Sequence, residues 1–141
     1  MSDDFAPLFH THNASGEHAP NYLKGLLSNL PDKNMERMAE SIDGSTQQDL
    51  QQFISDSPWE DRPVWDAIAR RVDAKIGGEE DSMLVGDESC FAKQGKDSVG
   101  VSRQHNGRLG KTDNCQVGVY ATLVRGTRCA LVGCRLFLPD E

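Results

Sequence analysis

The feature that most constrains this chain is a change of hydrophobic period at Gly77-Gly78-Glu79-Glu80-Asp81. Before that segment apolar residues recur at helical spacing, and after it they alternate as strands require. One chain therefore holds a helical half and a strand-rich half. The acidic, glycine-led segment between them is expected to be a flexible joint.

In the first half, Tyr22, Leu23, Leu26, Leu27 and Leu30 predict a helix that Pro31 stops, and Met35, Met38, Ala39 and Ile42 repeat the period as far as Gly44. Thr46-Gln-Gln-Asp49 reads as a capping box opening a third helix, with Leu50, Phe53 and Ile54 on one face. Pro63, suited to a first turn, precedes Val64, Trp65, Ile68, Ala69, Val72 and Ile76, a longer stripe closed by Gly77-Gly78. The stripes most simply pack on one another as a small bundle. Residues 1–17 show no period and are expected to form an irregular arm. Its His10 and His12 lack the further ligands a metal site needs.

In the second half, Met83 to Phe91 predicts a first strand. Val99-Gly-Val101 reads as a short extended piece and Gln104 to Gly110 as a loop with two glycines. Cys115 to Val124 alternates, Arg125-Gly126 supplies a turn, and Arg128 to Leu138 alternates again. The expected class is α+β: an arm over 1–17, a helical region over 18–78, and three antiparallel strands within 79–141.

The chemistry concentrates at Met83-Leu-Val-Gly-Asp-Glu-Ser89. A carboxylate carried by an apolar strand must be paired, hydrated at an edge, or bound to a cation. The bland option for Asp87 is hydration with Lys93 or Lys96 nearby. Alternation sends Asp87 and Glu88 to opposite faces, so they do not count as two ligands of one metal. The net charge of -7 argues against a strongly basic nucleic-acid binder. Yet Lys93, Lys96, Arg103, Arg108, Lys111, Arg125, Arg128 and Arg135 gather in the last third, where a local basic face is able to meet phosphate.

No two of Cys90, Cys115, Cys129 and Cys134 stand in a Cys-x-x-Cys spacing, which excludes zinc-ribbon and thioredoxin readings. They are expected to be small, reduced, buried side chains. No apolar run approaches the roughly 20 residues that span a bilayer. The acidic start Met1-Ser-Asp-Asp-Phe5 lacks the order of a secretory signal, so a cytoplasmic placement is expected.

Leu84-Val-Gly-Asp-Glu-Ser89, Lys93-Gln-Gly-Lys-Asp-Ser-Val-Gly-Val-Ser-Arg-Gln104, Asn114-Cys-Gln-Val-Gly-Val119 and Leu136-Phe-Leu-Pro139 together resemble the DDE-type transposases of bacterial insertion sequences. Tyr22-Leu-Lys-Gly-Leu-Leu27 and Asn34-Met-Glu-Arg-Met-Ala39 are similar to the helical region that those proteins place before the catalytic domain. The resemblance implies that residues 79–141 open a ribonuclease H-like domain and that Asp87 is the first of three catalytic, metal-holding acidic residues. It further implies Mg²⁺ or Mn²⁺ as the ion and insertion-sequence DNA ends as the partner, with Lys93, Lys96, Arg103 and Lys111 as candidate DNA contacts. Full-length transposase or a second copy is a further expected partner.

The family's second Asp and its Glu follow later elements, and Asp140 and Glu141 come too early for either role. The resemblance therefore points to a truncated amino-terminal portion, inactive alone. A non-catalytic regulator that binds transposase or insertion-sequence ends is the alternative. Gly86 stands where the family usually has an aliphatic residue, and Cys90 where it has glycine.

Overall fold

The computed structural model describes residues 5–9 and 15–139. His10, His12, Asp140 and Glu141 lie outside the described residues. Four helices, α1 (Ser15–Leu27), α2 (Met35–Glu40), α3 (Gln47–Ser55) and α4 (Asp61–Ile76), precede four strands: β1 (Ser82–Ala92), β2 (Ser102–Asn106), β3 (Lys111–Arg125) and β4 (Arg128–Leu136). The class is α+β. The chain divides into two compact units, residues 1–64 and 65–141, so most of α4 groups with the sheet rather than with the other helices.

The first unit begins with structure where an irregular arm is expected. Ala6–Phe9 form a 3₁₀ turn, and α1 starts at Ser15, running through Pro20. The reason is packing: Phe9 is buried with Ala19 and Phe53, and its ring meets Phe53 at 5.9 Å and Trp59 at 5.4 Å. Trp59 stacks on Phe53 at 5.5 Å and donates its indole N–H to the Phe53 carbonyl at 3.0 Å. A second cluster of Met38, Ala39 and Leu50 lies between α2 and α3. Helix α1 comes close to α2 at Gly25, where a Cβ would lie 2.8 Å from the Met38 sulfur.

The capping box is present. The Thr46 hydroxyl accepts from the Asp49 N–H at 3.2 Å, and the Asp49 carboxylate accepts from the Thr46 N–H at 2.9 Å. Two amides that a helix start leaves without partners are thereby satisfied.

In the second unit β3 is the central strand. It pairs antiparallel with β1 along Cys115–Arg125, and on its other side with β2 near its start and β4 near its end. The sheet has four strands, one more than expected, because Ser102–Asn106 is a strand and the glycine loop shrinks to residues 107–110. The β3–β4 hairpin turns through Gly126-Thr127, where Gly126 takes φ 56°, the left-handed backbone that tight hairpins use. The sheet edge left unpaired by the described residues includes the whole outer side of β1, the strand that carries Asp87.

The glycine-led joint is tied to neighbouring elements by side-chain contacts. Arg125 bonds Asp81 at 2.8 Å and Glu79 at 3.6 Å, while the Ser82 hydroxyl donates to the Ile76 carbonyl at 2.6 Å. Over the sheet, Ala69, Arg70 and Asp73 of α4 line a groove of about 400 Å³ with Leu84, Leu123 and Val132. Val132 is the extra residue of a β-bulge, since Leu131 pairs with Thr122 and Gly133 with Ala121.

Candidate active-site strand

Asp87 is the sixth of the eleven residues of β1, so it stands at mid-strand rather than where the chain enters a turn. It faces Tyr120 of β3, which in turn faces Cys134 of β4. Directly paired residues share a face. The row Asp87–Tyr120–Cys134 is therefore one stripe across the sheet, flanked by Val85–Thr122–Leu131 and Ser89–Gly118–Leu136. Glu88 pairs with Val119 and points to the other face, as alternation predicts.

The Asp87 side chain is exposed and accepts from the Glu88 N–H at 2.9 Å. Among the described residues it forms no ion pair with Lys93 or Lys96, so the paired-carboxylate option is not realised. An exposed carboxylate without a cationic partner is open to an incoming cation. At Gly86 an added Cβ would meet only the Tyr120 carbonyl, at 4.0 Å, so no other backbone approaches closely there.

Tyr120 leans along its own strand over Gly118. A Cβ on Gly118 would lie 2.8 Å from the Tyr120 hydroxyl, so only glycine leaves the phenol its seat. Burial pushes the Tyr120 phenol above its ordinary value, and the neighbouring Cys134 thiol adds to the shift. The phenol therefore stays protonated as a hydroxyl donor beside Asp87. Sequence reasoning missed Tyr120. The signal for it was the Gly118-Val-Tyr120 spacing, in which a glycine two residues before an aromatic clears a same-face position.

The basic residues do not gather on one face. Lys93 and Arg103 fall on the Asp87 side of the sheet by register, and Lys111 and Arg135 on the other. Lys93 lies six positions beyond Asp87, about 20 Å along a strand. Lys111 is engaged by Asp113 at 2.9 Å, whose carboxyl is lowered first by that hydrogen bond and further by the nearby Arg103. Arg125 is held by Glu79 and Asp81. Lys93, Lys96, Arg103, Arg108 and Lys111 do share one end of the sheet, formed by the close of β1, the 93–101 connection and the β2–β3 turn.

Of the four cysteines only Cys115 is fully buried. Cys90 and Cys134 are half-buried and Cys129 is exposed, against the expectation that all are buried. Among the described residues no three His, Cys, Asp or Glu side chains come together in a way that would hold a metal ion. A hard divalent cation takes about six oxygen ligands. Asp87 supplies one carboxylate, so these residues do not by themselves fit such an ion. No helix of the described residues is long and apolar enough to cross a membrane.

An antiparallel sheet with an exposed aspartate at the middle of its first strand, preceded by helices, is the class of structure that the residues define. The model of the DDE superfamily endonuclease family matches residues 4–141, and the chain belongs to that family. It is 30% identical over 113 residues to the probable transposase for insertion sequence element IS701 of Microchaete diplosiphon. That alignment covers 80% of this chain and 29% of the relative, so the chain spans under a third of that protein's length. No solved structure matches the chain.

Proposed function

We propose that this chain is the part of an insertion-sequence transposase that carries the first metal-binding carboxylate, Asp87, on the opening strand of a ribonuclease H-like domain. The observation that carries the reading is Asp87 itself: exposed, free of any cationic partner among the described residues, and central in β1 of a chain that belongs to the DDE endonuclease family. The antiparallel order β1–β3–β4 supports it, since these three long strands form the meander with which the resemblance expects such a domain to open. In this reading β2 and its turn are an insertion between the first two strands.

The ion is Mg²⁺ or Mn²⁺, and its remaining ligands are carboxylates that these residues do not place beside Asp87. The 141-residue chain is therefore inactive as a nuclease alone. DNA is the substrate, with Lys93, Lys96, Arg103 and Lys111 contacting phosphate at the basic end of the sheet and the helical unit serving end binding or assembly. The DNA following codon 141, read in all three frames, tests this. A further strand ending in Asp and a later helix carrying Glu support the reading; their absence from every frame contradicts it.

A further inference from the structure

Cys90 pairs with Val117 and Cys115 with Ala92, which makes the two cysteines diagonal neighbours on the sheet face opposite Asp87. Ala92 of β1 and Ser102 of β2 flank Cys115 from the two sides of β3. The Cys90 thiol nevertheless donates to the His105 carbonyl of β2, at 3.6 Å. With β3 between them, this contact requires the sheet to curl so that β1 and β2 approach each other on the face that carries Cys90 and Cys115. Cys115 is fully buried, whereas Cys90 is half-buried.

We propose that Cys90 and Cys115 form a peroxide-sensitive thiol switch that ties β1 to β3 when oxidised. The Cys90 sulfur attacks one oxygen of hydrogen peroxide, the O–O bond breaks, and Cys90 becomes a sulfenic acid as one water leaves. The Cys115 sulfur then attacks the Cys90 sulfur, the S–O bond breaks, and a second water leaves carrying the Cys115 proton. Two thiols are oxidised to one disulfide while one peroxide is reduced to two waters.

The roles follow from exposure. Burial raises the Cys115 thiol, with neighbouring Cys90 adding to the effect, so the more accessible Cys90 meets the oxidant and Cys115 resolves it.

Spacing decides between a permanent staple and a switch. Diagonal Cα atoms in an antiparallel ladder stand about 7–8 Å apart, just beyond the roughly 4.4–6.8 Å that a relaxed disulfide spans. Closure must draw the strands together by about an ångström, and a strained disulfide is readily reduced. The closed loop contains residues 91–114, hence Lys93, Lys96, Arg103 and Lys111. Oxidation thus fixes the hairpin that carries the candidate DNA contacts. The thiol chemistry is independent of the transposase reading, and disulfide mapping tests it without DNA.

The experiment treats the full chain with hydrogen peroxide near stoichiometry, alkylates the remaining thiols and maps the peptides. The expected result is a dominant Cys90–Cys115 cross-link, reversed by dithiothreitol, with Cys129 and Cys134 alkylated. Cys90→Ser and Cys115→Ser each abolish it. Because Cys115 is buried, Cys90→Ser decides the matter if Cys115→Ser fails to fold. A dominant cross-link through Cys129 or Cys134, or conversion of Cys90 to sulfinic acid while Cys115 stays a free thiol, overturns the proposal.

Discussion

Asp87 and Tyr120 stand directly opposite each other in the β1–β3 ladder, so the carboxylate proposed to bind metal shares its sheet face with a phenol that is held down over Gly118. The neighbourhood of Asp87 therefore depends on a residue without a side chain. Gly118→Ala puts a methyl into the phenol's seat and turns Tyr120 outward. The expected cost is about 1 kcal/mol, the low end for overpacking, because the ring is free to swing.

Tyr120 reports on that seat through its titration. In a Tyr22→Phe background the phenolate absorbance of Tyr120 is expected to appear above the ordinary tyrosine range, and to move down toward it in Gly118→Ala. A phenol raised on folding contributes stability that is complete below its unfolded value, about pH 10, and is lost as pH rises through the folded value. Alkaline denaturation should accordingly begin later when Tyr120 is replaced by alanine at matched neutral-pH stability.

The α3 cap carries the acid-side counterpart. The Thr46 hydroxyl and backbone N–H hold the Asp49 carboxyl below its ordinary value. A carboxyl lowered on folding contributes stability above its unfolded value, lost as pH falls through the folded one. Helicity should decline below about pH 4 in the parent chain and less steeply in Asp49→Asn. Thr46→Ala is expected to cost about 1 kcal/mol in denaturant melts at neutral pH.

Phe53 anchors the first unit, since Phe9, Tyr22 and Trp59 all contact its ring. Phe53→Ala should cost about 3–5 kcal/mol, enough to unfold that unit at room temperature. Loss of the α1–α3 part of the helical circular-dichroism signal, with the α4 and strand signals retained, is the expected observation.

Arg125 ties the acidic joint to the end of β3. Arg125→Ala leaves Glu79 and Asp81 without their cation, and amide exchange at residues 77–82 should quicken. The pair is mostly exposed, so the global loss should stay at or below about 1 kcal/mol and shrink in high salt.

The elements legible from sequence are those set by neighbouring residues: the stripes of α2, α3 and α4, the Thr46 capping box, the Gly126 turn, and the opposite facing of Asp87 and Glu88. What was missed depends on distant partners. Ser102-Arg-Gln-His-Asn106 has no apolar alternation, and only its pairing with β3 makes it a strand. Phe9 and Trp59 belong to no periodic stripe, yet they complete the aromatic core. The joint reads as flexible because Arg125 lies 44 residues beyond Asp81. The assignment of Asp87 rests on the resemblance and on its strand, whereas its neighbour Tyr120 needs the register, which the long 93–110 connection leaves open.

In the proposed function these 141 residues contribute one metal-binding carboxylate to a transposase without forming a nuclease themselves. A plasmid-nicking assay with purified wild type and Asp87→Ala, in Mg²⁺ and in Mn²⁺, tests it most directly, with equal melting midpoints confirming that both are folded. No strand cleavage by either protein is expected. Metal-dependent nicking by the wild type that disappears in Asp87→Ala would contradict it.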